Sequence, residues 1–189
     1  MHWTVVDSPI GPLAIAVDEV GVCRVQFEET SPHAEPLPNR PLHGGLTEPT
    51  EPAEPTEPAD LTPLAHPIPN PLAAAMEQLA AYFAGELTEF DVPLSVRRGS
   101  DFERAVWREI SDIPYGETRT YGEVATRLGD PGAARAVGVA CNRNPIPVIV
   151  PCHRIVGAGG KLVGFGGGLP RKRHLLELEA GVTLQRTWT

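Results

Sequence analysis

The residues with the greatest chemical potential stand together, where the proline-framed run NPIPVIVP is followed by Cys152, His153 and Arg154. Cysteine is a nucleophile as its thiolate, and a neighbouring cation or histidine lowers the pKa of a thiol. The apolar run reads as strand-like. Adjacent strand residues point to opposite faces, so contact between Cys152 and His153 needs a bend or a bridging water molecule. The pattern is compatible with thiol-based catalysis, but also with a Cys-His pair that has no special role.

The elements that must position this cluster begin with short β-type runs. Trp3–Val6, Leu13–Val17 and Val22–Phe27 are separated by turn residues, which predicts a three-stranded meander. Later, Asn70 and Pro71 have the form of an N-cap followed by proline at the first helical position. Apolar residues then follow at helical spacing until Gly85 ends the helix.

The second half of the chain is predicted to consist of helices and glycine-rich loops. One helix runs from Asp101 to Ile110, with Ser100 or Asp101 as its cap. The segment 120–128 begins with a capping box, and Gly129-Asp130-Pro131-Gly132 separates it from a small-residue helix over 133–141. Two short helices joined by a tight turn indicate a helix-turn-helix, although most such pairs read no DNA.

A proline-rich tract interrupts the first half. Residues 31–71 hold 12 of the 21 prolines, and the repeat EPTEPAEPTEP places proline at every third position. Proline fixes φ and removes the N–H donor, so polyproline-II structure or disorder is expected here. The tract is either a docking motif or a tolerated loop insertion, since loops lengthen at small entropic cost.

Charge is distributed unevenly over the 189 residues. The formal net charge of -8 argues at first against nucleic acid as a partner. However, residues 1–99 contain 15 acidic and 4 basic residues (net -11), whereas residues 100–189 contain 9 and 12 (net +3). The helix-turn-helix half is mildly basic, so DNA binding is compatible with the sequence.

Cysteine count and hydropathy restrict the compartment and the cofactors. Three cysteines without CxxC spacing support neither a disulfide framework nor a zinc site. Cys23, His2 and His33 form at most a weak ligand set, so no metal is expected. No run approaches 18 apolar residues, and the first residues lack a basic region followed by an apolar one. We therefore expect a cytoplasmic protein without a membrane segment.

The C-terminal half resembles the O6-alkylguanine-DNA alkyltransferases, the DNA repair methyltransferases, in the run NPIPVIVPCHRIVGAGGKLVGFGGGLPRKRHLLELEAG. The similarity extends back through FERAVWREISDIPYGETRTYGEVATRLGDPGAARAVGVA, and so covers roughly residues 100–182. PCHR preceded by Asn-Pro-x-Pro, together with the AARAVG helix, is the most specific part. The runs DSPIGPLAIA and LAAYFAGELTEFDVPL are similar to the bacterial branch. The Pro/Glu tract has no counterpart and is interpreted as an insertion.

The resemblance implies a mechanism. Cys152 would attack the alkyl carbon on guanine O6 by in-line displacement, leaving S-alkylcysteine and restored guanine. Because a thioether does not readily reverse, each molecule would act once. His153 matches the histidine that activates the cysteine through water, and Glu179 matches the glutamate that holds this histidine. By residue type Glu177 is an equal candidate, and only the alignment separates the two.

The resemblance also implies that the target base is flipped out of the duplex, with the helix-turn-helix in the minor groove. Arg135 matches the arginine that occupies the space left by the base. Tyr121 matches the tyrosine near the 3′ phosphate, which also reaches a ring nitrogen. From the residues alone, a helix-surface arginine and a half-buried core tyrosine fit equally well. The small residues of 132–140 suit close approach to a narrow groove.

The glycine-rich loop over 157–168 is expected to close the pocket. Gly166 matches the position whose amide meets guanine O6. Phe165 stands where the family often has tyrosine, which keeps an apolar wall but removes a phenolic hydrogen bond. A phosphate-binding loop is disfavoured because GK[ST] is missing. Three further residues are assigned to substrate and DNA binding: Asn144 and Pro147, which match residues that brace the active-site turn and line the pocket, and Ile155.

Two neighbouring features leave alternatives open. Arg171-Lys172-Arg173 is either a basic patch suited to phosphates or a solvated helix start. Cys141 is either a second reactive thiol or a buried small hydrophobic residue.

Together these inferences predict an α+β protein. Residues 1–98 would form a small N-terminal β-meander/αβ domain with a flexible insertion at about 30–70. Residues 99–189 would form a mostly helical domain with the helix-turn-helix and the active-site cysteine. We expect a methylated-DNA–protein-cysteine methyltransferase that acts on O6-alkylguanine, and less readily on O4-alkylthymine, in double-stranded DNA. No cofactor is expected, and the protein would be a monomer.

Two other classes of protein are alternatives. The related alkyltransferase-like proteins bind the lesion but replace the nucleophile, and the intact PCHR argues against that class. A Cys-His hydrolase would need an oxyanion hole and multiple turnover, and no feature of the sequence demands either.

Overall fold

The computed structural model describes residues 1–28 and 71–188. The Pro/Glu tract, His33 and Asn70 lie outside these ranges. The helices and strands follow one another in this order: β1 (His2–Val6), β2 (Leu13–Val17), β3 (Val22–Phe27), α1 (Pro71–Phe83), α2 (Asp101–Ser111), β4 (Arg119–Thr120), α3 (Tyr121–Arg127), α4 (Ala134–Asn142), β5 (Ile155–Val156) and α5 (Leu169–Thr187).

The first three strands form an antiparallel sheet in the order β1-β2-β3, which confirms the predicted meander. All five residues of β2 are buried, which explains why its sequence is apolar without alternation. Helix α1 packs against this sheet and buries Ala75, Leu79 and Tyr82. The small sheet therefore has a helix to cover its apolar surface.

The outer edge of β3 connects the sheet to the rest of the molecule. The Val25 amide donates to the carbonyl of Pro145 over 2.9 Å, and Val22 forms a parallel bridge with Leu94. These contacts use backbone groups that an edge strand would otherwise leave unpaired. They also fix the sheet beside the segment that leads to Cys152.

The helix-turn-helix consists of α3 and α4. Helix α3 begins with the predicted capping box, in which the Thr120 hydroxyl accepts from the Glu123 amide over 3.1 Å and Glu123 accepts from the Thr120 amide over 2.6 Å. The turn contains Gly129 at φ +85°. Asp130 then accepts from the Gly132 amide over 3.0 Å and starts the short 3₁₀ turn before α4. Local hydrogen bonds thus fix the start of α3 and the turn that leads into α4.

Helix α2 packs against the helix-turn-helix. Ser100 is its N-cap and forms a second capping box with Glu103. Trp107 is buried, and its indole N–H donates to the carbonyl of Ala140 over 2.8 Å. This bond ties α2 to α4.

The run before Cys152 is a turn, so the strand-like interpretation of this run was wrong. The Val150 amide donates to the carbonyl of Ile146 over 2.9 Å, and Val148 has φ +75°. The cause is Asn144, whose side chain accepts from the Ile146 amide over 3.0 Å and donates to the carbonyl of Val150 over 2.8 Å. These two bonds close the turn while its apolar side chains enter the core.

Within the described ranges, none of the helices combines the length and apolar character needed to span a bilayer. The architecture is a small N-terminal sheet followed by a mainly helical C-terminal part, as the sequence predicts.

Candidate active site

Cys152 begins a short 3₁₀ turn, Cys152–Arg154, which supplies the bend that the sequence pattern required. Its side chain lies at a cavity of about 740 Å³. The cavity is lined by four of the residues assigned to substrate or DNA binding: Asn144, Pro147, Phe165 and Gly166. Cavities of this size hold small organic ligands, so a purine base with a substituent would fit.

Burial controls the reactivity of the Cys152 thiol. Only 5% of the residue is exposed, and this burial raises the pKa of the thiol to about 11, although a hydrogen bond with Asn144 acts in the opposite direction. The thiol is therefore neutral near pH 7. A nucleophilic reaction at this site needs a base that removes the proton during the reaction.

His153, the next residue along the chain, has the chemistry of such a base. It is completely buried, and its Nε2 lies 2.7 Å from Oε1 of Glu179. A carboxylate only accepts hydrogen bonds, so Nε2 carries the proton and the lone pair lies on Nδ1. Nδ1 is buried and has no hydrogen-bond partner among the described residues. Burial lowers the pKa of His153, although Glu179 acts to raise it, so the ring is neutral and able to accept a proton.

Glu179 is held by donors from several parts of the chain. Arg154 donates to both of its oxygens, through Nε to Oε2 and through Nη2 to Oε1, each over 2.9 Å. The Gly116 amide donates to Oε2 over 3.0 Å, and the Tyr82 hydroxyl donates to Oε1 over 2.7 Å. Burial alone would raise the pKa of Glu179, but the hydrogen bonds of His153 and Arg154, together with the positive charge of Arg154, lower it to about 2. The carboxylate is therefore a fixed anion.

The structure distinguishes between Glu177 and Glu179 of α5, which are equal candidates by residue type alone. Glu179 is fully buried on the face that meets His153, in line with buried Leu175 one turn earlier. Glu177 lies on the exposed face. Two positions along a helix correspond to about 200°, so these residues point in nearly opposite directions.

The glycine-rich loop closes one side of the cavity. Phe165 packs against Phe27 of β3 with ring centroids 5.6 Å apart, and Gly167 lies between them. A Cβ on Gly167 would come within 2.9 Å of both rings, so only glycine fits at this position. The N-terminal sheet thus contributes a wall next to Phe165.

Lys172 fits neither interpretation of 171–173, the basic patch or the solvated helix start. It is fully buried, and its ammonium donates to the carbonyls of Ile155, Val163 and Gly164. A buried ammonium needs acceptors around it, and here the bonds to these carbonyls hold the glycine-rich loop against β5. Arg173 is exposed, whereas Arg171 donates to the carbonyl of Ile10 over 2.6 Å. The segment fastens the loop rather than presenting three cations to solvent.

Three of the residues assigned to substrate or DNA binding lie outside the cavity lining. The Tyr121 hydroxyl donates to the carbonyl of Val163, within the glycine-rich loop, over 3.1 Å. Arg135 is exposed in the first turn of α4. Ile155 is fully buried in the core, so the structure gives its side chain a packing position and its carbonyl a bond to Lys172.

Cys141 lines the same cavity and is 6% exposed. Burial raises the pKa of its thiol to about 12. This environment favours the interpretation of a small buried residue over that of a second nucleophile. No cluster of three or more metal-ligating side chains occurs among residues 1–28 and 71–188.

Sequence reasoning missed three contributors to the Glu179 network: Arg154, Tyr82 and Gly116. Arg154 belongs to the PCHR motif, so its position gave a signal. Tyr82 and Gly116 lie 97 and 63 residues from Glu179 along the chain, and no local pattern marks them.

Comparisons with known proteins agree with this geometry. Residues 1–96 match the family model of the 6-O-methylguanine DNA methyltransferase ribonuclease-like domain, and residues 101–181 match that of its DNA binding domain. A methylated-DNA–protein-cysteine methyltransferase of Mycolicibacterium paratuberculosis is 64% identical over 179 residues, which cover 95% of this chain and 92% of the relative. A relative of the same name from Mycobacterium bovis is 48% identical, and the matched region again covers 95% of this chain and 92% of the relative.

Among solved structures, Mycobacterium tuberculosis OGT in complex with DNA is 46% identical, with a TM-score of 0.75 over 96% of this chain and 94% of that chain. A Methanococcus jannaschii O6-methylguanine DNA methyltransferase, at 23% identity and a TM-score of 0.55, shares the fold. On the strength of both family models and of relatives that match along nearly their whole length, this chain belongs to the 6-O-methylguanine DNA methyltransferase family.

Proposed function

We propose that this protein transfers the alkyl group of O6-alkylguanine in double-stranded DNA to Sγ of its own Cys152. A bond forms between sulfur and the alkyl carbon, and the bond between that carbon and guanine O6 breaks. The electron pair of the broken bond stays on guanine, which takes up the proton given by the thiol. The thioether product has no easy reversal, so each molecule reacts once.

One observation carries this proposal: a neutral buried thiol opens on the cavity beside a histidine that is clamped to a buried carboxylate. The thiol pKa of about 11 leaves on the order of one molecule in ten thousand as thiolate at pH 7. His153, held through Nε2, keeps Nδ1 as the proton acceptor, and we infer that one water molecule links it to the thiol. Glu179 stabilises the positive charge that develops on the imidazole.

The helix-turn-helix would deliver the base. Exposed Arg135 on α4 would occupy the space left by the flipped nucleotide, and Tyr121 would lie near its 3′ phosphate. Asn144, Pro147, Phe165 and Gly166 would surround the base, with the Gly166 amide toward O6. O4-alkylthymine is a second, slower substrate in this proposal.

Residues 1–98 and 99–189 would act as separate domains of a monomer. The N-terminal domain would support the pocket from the side of β3, and the C-terminal domain would hold the DNA and the reactive cysteine.

Incubation with duplex DNA that carries methyl-labelled O6-methylguanine tests the proposal. The label should move to the protein with a limit of one methyl group per molecule, and mass spectrometry should locate it on the peptide that contains Cys152. Cys152→Ala should abolish transfer while it leaves binding to the duplex intact. Release of label into solution with multiple turnover, or transfer by Cys152→Ala, would contradict the proposal.

Binding of the modified duplex without any transfer would instead assign the protein to the lesion-binding class. The same reaction with O4-methylthymine in the duplex tests the second substrate, for which a lower rate constant is expected. Sedimentation of the protein without DNA tests the monomeric state.

A further inference from the structure

We propose that Tyr82 is a positioning residue for alkyl transfer, because its hydroxyl fixes the Glu179 carboxylate that orients His153. The inference deepens the proposed function and rests on it. Tyr82 lies on α1 in the N-terminal part, whereas His153 and Glu179 lie in the C-terminal part. The hydroxyl therefore connects the N-terminal part directly to the groups that orient His153.

The geometry is that of a direct polar contact. The Tyr82 hydroxyl lies 2.7 Å from Oε1 of Glu179 and 3.5 Å from Nε2 of His153. All three side chains are fully buried. Burial, followed by the negative charge of Glu179, raises the pKa of Tyr82, so the hydroxyl keeps its proton and remains a donor throughout the working pH range.

This hydroxyl shares Oε1 with His153. Each donor to Oε1 withdraws part of the negative charge that the oxygen offers to the others. Without the tyrosine donor, Oε1 would keep more of its negative charge. It would form a stronger hydrogen bond with the proton on Nε2 and would stabilise the imidazolium further. The pKa of His153 would rise, and the ring would be protonated, and unable to act as a base, up to a higher pH.

Other charged and titratable groups also surround His153, and they remain in place when the hydroxyl is removed. Glu179 from α5 raises its pKa, whereas Arg154 on the same turn and Lys172 from α5 lower it. Cys152 precedes it in the chain. Replacement of Tyr82 by phenylalanine changes none of these charges, so a shift in the pH profile reports on the hydroxyl.

The aromatic ring has a separate packing role that phenylalanine preserves. The ring of Tyr82 packs against Phe83, Phe90 and Tyr115, with centroids 5.2 to 5.9 Å apart. The hydroxyl of neighbouring Tyr115 is buried without a hydrogen-bond partner among the described residues. Tyr115→Phe is therefore a matched control that removes an equivalent atom from the same cluster.

The experiment compares the full-length wild type, Tyr82→Phe and Tyr115→Phe. The second-order rate constant for transfer from labelled duplex and from free O6-benzylguanine is measured from pH 5 to 9, together with Tm and duplex affinity. Tyr82→Phe should lower the rate about tenfold at pH 7 on both substrates. It should also move the acid limb of the profile to higher pH and leave duplex affinity unchanged. Tyr115→Phe should match the wild type in rate and profile.

An NMR titration of His153 in each protein gives a readout that does not depend on activity. The titration of Tyr82→Phe should lie at higher pH than that of the wild type. Unchanged titration and an unchanged acid limb would overturn the inference, even if the rate fell, because that result is what a purely structural role produces. Absence of transfer in the wild type would overturn the proposed function and leave the titration to decide the role of Tyr82.

Incorporation of 3-fluorotyrosine at position 82 covers the case in which Tyr82→Phe does not fold. Fluorine makes the hydroxyl a stronger donor while the ring keeps its shape. The acid limb and the His153 titration should then move in the opposite direction, to lower pH. A shift to higher pH, or no shift, would contradict the inference.

Discussion

Arg154 binds both oxygens of the Glu179 carboxylate from the position directly after His153 in the chain. Its Nε and Nη2 each donate over 2.9 Å, and its Nη1 donates to the carbonyl of Ile113 over 2.6 Å. Consecutive residues of one 3₁₀ turn thus contact the same carboxylate. The orientation of His153 is therefore set twice, by its own bond to Glu179 and by the guanidinium that prevents the carboxylate from rotating.

We predict that Arg154→Lys destabilises the protein by about 2 kcal/mol or more, because lysine cannot reproduce the two-pronged contact and leaves buried acceptors unpaired. Urea denaturation at pH 7 measures the change. Arg104→Lys is the control, since Arg104 pairs with the fully exposed Asp101, and such pairs contribute about 0.2–1 kcal/mol. Equal losses of unfolding free energy in the two variants would mean that burial of the Arg154–Glu179 pair does not increase its contribution to stability.

Glu179 also makes stability depend on pH. Its pKa is about 2 in the folded state and 4.5 in an unperturbed chain, so its contribution is present above pH 4.5 and is lost as the pH falls toward 2. The contribution is on the order of 3 kcal/mol. Glu179→Gln should therefore flatten the decline in unfolding free energy between pH 4.5 and 2.5, whereas exposed Glu177→Gln should follow the wild type. Parallel declines in all three proteins would refute this assignment.

The burial of Cys152 leads to a prediction for His153→Ala. Without the base, reaction depends on the spontaneous thiolate, whose fraction grows tenfold per pH unit below the thiol pKa of about 11. The rate constant of His153→Ala toward free O6-benzylguanine should rise in this way from pH 7 to 9, starting far below the wild type. The wild type should show a shallower rise because His153, the proposed base, would remove the proton during the reaction. Parallel profiles would indicate that another group acts as the base.

Much of the fold follows from local sequence signals, because these act over a few residues. The strand bounds Leu13–Val17 and Val22–Phe27 match the structure, since turn residues flank them. The capping box at Thr120 gives the start of α3, and the N-cap of α2 is Ser100, one of the two caps that the sequence allows. Such devices depend on side chains three positions apart and need no knowledge of the tertiary structure.

The failures have equally specific causes. The run over 146–150 is apolar and β-branched, a composition shared by buried strands and buried turns, and only the two bonds of Asn144 decide between them. Lys172 was predicted at the surface because lysine rarely occupies the interior. Its burial depends on three carbonyls, one from β5 and two from the glycine-rich loop, which come together only after folding.

Arg135→Ala should separate extrusion of the base from chemistry. Flipping costs a few kcal/mol, so loss of the residue that we propose stabilises the extruded state should slow repair of O6-methylguanine in duplex DNA by about tenfold or more. Reaction with free O6-benzylguanine needs no extrusion and should be unchanged. Arg108→Ala, which removes an exposed cation from α2, controls for the loss of one charge. If Arg135→Ala lowered the rate constants for both substrates equally, a role of Arg135 in extrusion would be excluded.

Gly116 joins backbone conformation to the orientation of the carboxylate. It has φ +78°, and a Cβ there would lie 2.3 Å from Oγ1 of Thr183. Gly116→Ala should cost about 2 kcal/mol or more, and should slow transfer to free O6-benzylguanine because the amide no longer reaches Glu179. Gly129 has φ +85° but open space around its Cβ position, so Gly129→Ala should cost only about 1 kcal/mol. Equal unfolding free energies of the two variants would show that Thr183 moves aside without an energetic cost. The strain of the positive φ would then be the whole cause of the destabilisation.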